Sequence, residues 1–166
     1  MRQLVTAAFV AAVFAITATA AAAPTGWSLS GPGTFRGPAP SPIEAGMDGT
    51  ARSDVGGANA KGRLHLFYDG ILDAHVDVAC LAVDGNRAGV LGKLAHPFSF
   101  GGQIWQYAGI SVTDNGSRGT TPDQATFWLT NDATQSTCAG LAAAGGAWPI
   151  ANGDFGVTSS ASAQLK

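Results

Sequence analysis

His65, His75 and Asp77 flank a short Asp69-Gly70-Ile71-Leu72-Asp73 segment, and a hairpin closing there sets His65 across from His75 or Asp77. Two imidazoles and a carboxylate on neighbouring strands can bind a divalent metal or orient one imidazole as a general base. A hydrolase also needs a nucleophile and oxyanion donors, yet there is no G-x-S-x-G elbow and no serine beside these histidines in sequence. On a sheet the same three residues are ordinary solvent-facing polar pairs, and that reading is adopted. No catalytic residue, metal or cofactor is expected. A secreted hydrolase or metal-dependent enzyme using His65, His75 and Asp77 is the alternative. Asp84-Gly85-Asn86 and Asp114-Asn115-Gly116 read as turns; a calcium loop of the EF-hand type needs a closing glutamate, and Glu44 is the only glutamate in the chain.

The aromatic residues suggest binding instead. Alternation along Gln103 to Thr113 puts Ile104, Ala108, Ile110 and Val112 on one face, leaving Trp105 and Tyr107 on the other. In Ala125 to Asn131, Ala125, Phe127 and Leu129 share a face and leave Trp128 opposite. If the two strands pair with apolar faces matched, Trp128 sits near Gly109 or Ser111. Trp105, Tyr107 and Trp128 then share a face with Ser and Thr hydroxyls, a mixture that stacks on sugar rings or adheres to a partner. The plainer expectation is that a second sheet covers that face, or that Trp128 packs over Gly109.

The elements carrying these residues are short strands between Gly, Pro, Asn and Asp turns. Strands are expected over Trp27 to Phe35, Met47 to Arg52, Leu64 to Tyr68, Ala74 to Val83, Arg87 to Leu94, Gln103 to Thr113, Ala125 to Asn131 and Phe155 to Ser159. Gly37 to Pro42 is expected to be an extended connection, and Ala139 to Ala144 offers the one helical turn. The fold class is therefore all-β: a single antiparallel β-sandwich or flattened barrel of about eight strands. In the strand from Ala74, alternation puts Val76, Val78, Cys80 and Ala82 together, with Cys80 pointing into the core.

Residues 1–23 have the charge, apolar run and small-residue order of a bacterial secretory signal peptide. They leave residues 24–166 as one domain of about 143 residues, with its core over about 62–158. In an exported chain Cys80 and Cys138 are expected to form a disulfide, because neither has the Cys-x-x-Cys spacing or neighbouring histidines of a metal site. Charged residues are 12% of the chain and net charge is -2. Without a Lys/Arg cluster, neither nucleic acid nor, after signal cleavage, a membrane is an expected partner.

Val78-Ala79-Cys80-Leu81-Ala82-Val83-Asp84-Gly85-Asn86-Arg87-Ala88, followed by Val112-Thr113-Asp114-Asn115-Gly116 and Cys138, resembles a group of small secreted proteins from high-GC Gram-positive bacteria. These pair a V-x-C-x-x-V-x-G-N-x-A hairpin with a later V-x-D-N-G turn. The resemblance covers roughly Gly62 to Val157 and implies an exported β-domain; it brings no activity. The segments Pro38 to Asn59 and Pro97-Phe98-Ser99-Phe100 depart from its pattern. Taken together, the sequence reads as an exported, non-enzymatic domain binding a neutral polar ligand, such as a glycan or cell-envelope partner, through Trp105, Tyr107 and Trp128. A purely structural surface domain is the remaining alternative.

Overall fold

The computed structural model describes residues 26–36, 44–116, 121–133 and 137–159. The signal peptide expected over 1–23 and the connection expected over 37–42 lie outside the described residues. In chain order the elements are β1 (Trp27–Ser30), β2 (Gly33–Arg36), β3 (Glu44–Ser53), β4 (Lys61–Tyr68), β5 (Leu72–Asp84), β6 (Arg87–Phe100), β7 (Gln103–Thr113), β8 (Gln124–Thr130), α1 (Cys138–Ala144), β9 (Trp148–Pro149), β10 (Asn152–Gly153) and β11 (Gly156–Ser159).

The protein is all-β. Its strands form one antiparallel sheet in the order β10-β2-β3-β4-β5-β6-β7-β8-β9, with β1 paired to β3 and β11. The sheet curls into a half-barrel, which decides between the two architectures open at sequence level. The segment from Trp148 to Gly153 draws its margins together, since β9 pairs with β8 and β10 with β2. Phe35 of β2 meets the rings of Trp148 at 5.2 Å and Phe127 at 5.9 Å. β4–β5, β5–β6 and β6–β7 are joined by loops of only two or three residues, so the middle of the sheet is built of local hairpins. The core fills the inside of the curl, with Phe35, Met47, Leu66, Val76, Leu81, Val90, Ile110 and Val112 wholly buried.

Alternation holds along these strands until an extra residue interrupts it, and then every later side chain changes face. In β5 the register shifts between Val78 and Cys80. Before the shift Val76 is core; after it Leu81 is core, while Cys80 and Ala82 join a second cluster with Leu91, Cys138 and Leu141. Cys80 therefore points to the outer face rather than into the main core, a correction to strict alternation. The polar-to-apolar change along His75, Asp77, Leu81 and Val83 was the sequence trace of this bulge.

Helix α1 lies on that outer face across β5, β6 and β7. Cys138 bonds to Cys80, with Cα atoms 6.2 Å apart. Gly89 of β6 lets the helix approach, because a Cβ there would strike the Cys138 carbonyl and the Ala142 nitrogen. Thr137 caps the helix by accepting from the Gly140 N–H at 3.0 Å. The Ser111 hydroxyl, buried, donates to the Leu141 carbonyl at 2.9 Å, and Arg87 Nη1 donates to the Ala143 carbonyl at 3.0 Å. The Arg87 bond satisfies a carbonyl left without a helical partner, and the Ser111 bond is a second one to the Leu141 carbonyl, which also accepts from the Gly145 N–H at 3.2 Å.

The two turn motifs form one latch. The Asp114 N–H donates to the Asn86 carbonyl at 2.9 Å, and Asn86 Nδ2 donates to the Asp114 carbonyl at 2.6 Å. The Asp114 carboxylate accepts from the N–H groups of Gly116, at 2.7 Å, and Val157, at 2.8 Å. Buried Asp123 accepts from the N–H groups of Asn115 and Phe155, both at 2.8 Å. Two hairpins and the C-terminal strand are thereby tied at one end of the sheet.

Candidate functional site

The β4–β5 hairpin sets His65 directly across from His75, their rings 5.0 Å apart, and sets Arg63 across from Asp77. The three polar residues expected to converge do lie on neighbouring strands. His65 and Asp77 are each engaged by neighbouring side chains. His65 Nε2 bonds Asp73 at 2.7 Å and Nδ1 bonds Asp48 at 3.3 Å, so both ring nitrogens are engaged. Asp77 is held by Arg63 Nε at 2.9 Å. The Asp73 hydrogen bond, with Asp48 behind it, raises the His65 pKa above 6.5 against an opposing contribution from partial burial. When the ring is protonated, both nitrogens donate to carboxylates and neither keeps a lone pair for a metal. Among the described residues no three His, Cys, Asp or Glu side chains form a metal-holding group.

A pKa raised in the folded state gives stability that is present at pH below about 6.5 and is lost as pH rises through the folded value. Both carboxylates are more than half exposed, so the effect is small. Replacing His65 and His75 together with alanine is expected to change stability at pH 7 by less than about 1 kcal/mol, with the gap from wild type widening toward acid. Denaturant titrations at pH 5 and 8 check it. A loss of several kcal/mol would contradict the surface placement, and zinc or manganese binding that vanishes in the variant would restore the enzyme reading.

The aromatic set divides. Trp128 lies across Gly109, as matched registers require, and ring atoms would stand 2.7 Å from a Cβ placed on Gly109. Trp128 and Tyr107 both pack, half-buried, against the second cluster beside the disulfide. Trp105 does not join them. The register between β6 and β7 shifts between Lys93 and Phe98, where five steps along β6 match two along β7, from Lys93↔Tyr107 to Phe98↔Trp105. Trp105 packs instead against the main core, and its Nε1 is buried. Its neighbour Ile104, expected in the core by alternation, is 60% exposed. The irregularity turns the hairpin beyond it, so parity carried from Ala108 fails at Trp105.

That hairpin is the feature sequence reasoning missed. β6 runs past Leu94 to Phe100, and β7 returns from Gln103 after a two-residue turn in which Gly101 and Gly102 have φ of 63° and 76°. Both angles are those of a type I′ turn, which glycine adopts without strain. The signal was in the sequence: Phe98-Ser99-Phe100-Gly101-Gly102-Gln103-Ile104-Trp105 is a Gly-Gly pair between alternating residues. Directly paired residues share a face, so Phe98, Phe100, Gln103 and Trp105 form one side of the hairpin and Ser99 and Ile104 the other. Phe98 and Phe100 lie with ring planes 15° apart and centroids at 6.1 Å, and Phe100 is 54% exposed. From Leu94 to Thr113 there is no Asp, Glu, Lys or Arg.

A cleft of about 330 Å³ lies at the other end, between Asp123 and the segment from Ile150 to Asp154. Both carboxylate oxygens of Asp123 are taken by backbone N–H groups, so the cleft's buried acid is part of the latch. No described helix is long and apolar enough to cross a membrane. Compared with known proteins, the chain matches no protein family, no curated protein and no solved structure.

Proposed function

We propose that this chain is an exported, non-catalytic binding domain that contacts neutral, polar-faced ligands, glycans of the cell envelope foremost, through the β6–β7 hairpin. The observation carrying this reading is the aromatic pair of Phe98, half-buried against the core, and Phe100, 54% exposed, with ring planes nearly parallel, on an uncharged hairpin. Flat rings stack on the apolar face of a pyranose, and the Gln103 amide on the same side offers both donor and acceptor to hydroxyls. The signal-like leader and the Cys80–Cys138 disulfide favour an oxidising compartment. With so few charges nearby, binding draws little from ion pairs.

A glycan array read at low and high salt tests it. Binding to one or more neutral glycans, unchanged within about twofold between roughly 0.05 and 0.5 M salt, is the expected result. Binding confined to acidic glycans and abolished by salt, or no binding at all, would contradict it.

A further inference from the structure

We infer that the outer edge of β7 in this hairpin pairs with the same edge of a second copy of the chain, as a two-fold antiparallel strand pair centred on Ile104. The hairpin extends past its neighbours: β5 follows β6 only as far as Val76↔Leu94, and β8 follows β7 only from Tyr107↔Thr130 onward. Among the described residues no strand lies beside Gln103 to Gln106 on that side. In a two-residue hairpin the residues flanking the turn, here Phe100 and Gln103, hydrogen-bond to each other. By alternation Ile104 and Gln106 turn their backbone N–H and C=O groups outward, as does Ser99 on the other strand.

The two outer edges are not equivalent. On the β6 side Pro97, two residues from Ser99, has no N–H to donate, the device by which natural sheets blunt an edge. The β7 side carries no proline and no charge, and it presents Ile104 at 60% exposure. An open row of donors and acceptors calls for another extended strand, and an identical edge supplies one with closed two-fold symmetry. The lengths agree. With Ile104 opposite its own copy, Gln106 meets Gly102 of the second chain. The second chain then turns away at its Gly101–Gly102 bend, at the point where Thr130 of β8 occupies the edge. Both Ile104 side chains come together on one face.

Ile104 and Phe100 lie on opposite faces of the hairpin, so this pairing stands apart from the ligand reading. The contact is far below the roughly 1,000 Å² of a permanent interface, which makes the dimer weak and concentration-dependent.

Sedimentation of the purified chain up to about 1 mM, with amide hydrogen exchange at both ends of that range, tests it. A reversible dimer is expected, with exchange at the Ile104 and Gln106 amides slowed at least about tenfold on concentration and that at Trp105, already bonded across the hairpin, unchanged. Ile104→Thr, which keeps the N–H, should weaken the dimer by less than about fivefold, and Ile104→Pro, which removes it, by more than about tenfold. A monomer throughout, or exchange at Ile104 and Gln106 insensitive to concentration in wild type, would overturn the proposal whatever the folding of the variants. So would equal loss in both variants.

Discussion

Replacing Cys80 and Cys138 together with alanine is expected to lower stability by about 3–4 kcal/mol. The bond spans 58 residues, and closing a loop of that length removes about 4 kcal/mol of unfolded-state entropy. Little else holds α1 down. The cluster beneath it has only Leu91, Cys138 and Leu141 as buried members, with Tyr107 and Trp128 half-buried at its margin. Its hydrogen bonds from Arg87 and Ser111 give about 1 kcal/mol each. Urea unfolding of the wild type and the double variant, followed by tryptophan fluorescence, measures the difference. Because Trp128 borders the cluster, the variant's native spectrum should also shift to the red. A loss under about 1 kcal/mol would mean that the helix docks without its covalent tie.

Asp123→Ala is expected to cost about 2–4 kcal/mol. The carboxylate is 5% exposed and accepts two backbone N–H groups, from exposed Asn115 and from buried Phe155, of which the second would be left buried without a partner. That orphan costs about 1–3 kcal/mol, and the lost bond to Asn115 adds about 1 kcal/mol. Asp123→Asn keeps one acceptor oxygen and sets an NH₂ against the other donor, so it should recover less than half of the loss. Asp84→Ala provides the contrast: Asp84 opens a turn of similar composition but is exposed, and its loss should stay within about 0.5 kcal/mol. Equal effects at Asp84 and Asp123 in thermal unfolding would contradict the latch.

That pair of aspartates shows how far the sequence could be read. Turn signals at Asp69-Gly70, Asp84-Gly85-Asn86 and Asp114-Asn115-Gly116 located the hairpins, and matched parity put Trp128 over Gly109. Local chemistry sufficed there because turn type and face alternation depend on residues close in sequence. Bulges do not. The irregularity between Val78 and Cys80 reverses the alternation of β5, and the one between Lys93 and Phe98 turns the hairpin beyond it away from the rest of the sheet. For that reason Cys80 meets α1 on the outer face and Trp105 parts from Tyr107. The segment from Trp148 to Gly153 that draws the sheet margins together was equally hidden, because its two-residue strands are defined by distant partners, Ala125 and Thr34 among them. Asp123 gave no local hint of burial, since its donors come from Asn115 and Phe155.

The division of the aromatic residues between two faces leads to the experiment that bears most directly on the binding reading. Calorimetric titration with a neutral glycan recovered from the array should compare wild type, Phe100→Ala and Trp128→Ala. Phe100 is exposed and supports no core residue, so its removal should leave unfolding unchanged while weakening binding about 30-fold, the loss of a roughly 2 kcal/mol anchor. Trp128 lies against Gly109 beside the disulfide cluster, so Trp128→Ala should lower stability and leave affinity within about twofold. The opposite pattern, with affinity lost in Trp128→Ala and retained in Phe100→Ala, would place the contact on the outer face and contradict the assignment to the hairpin.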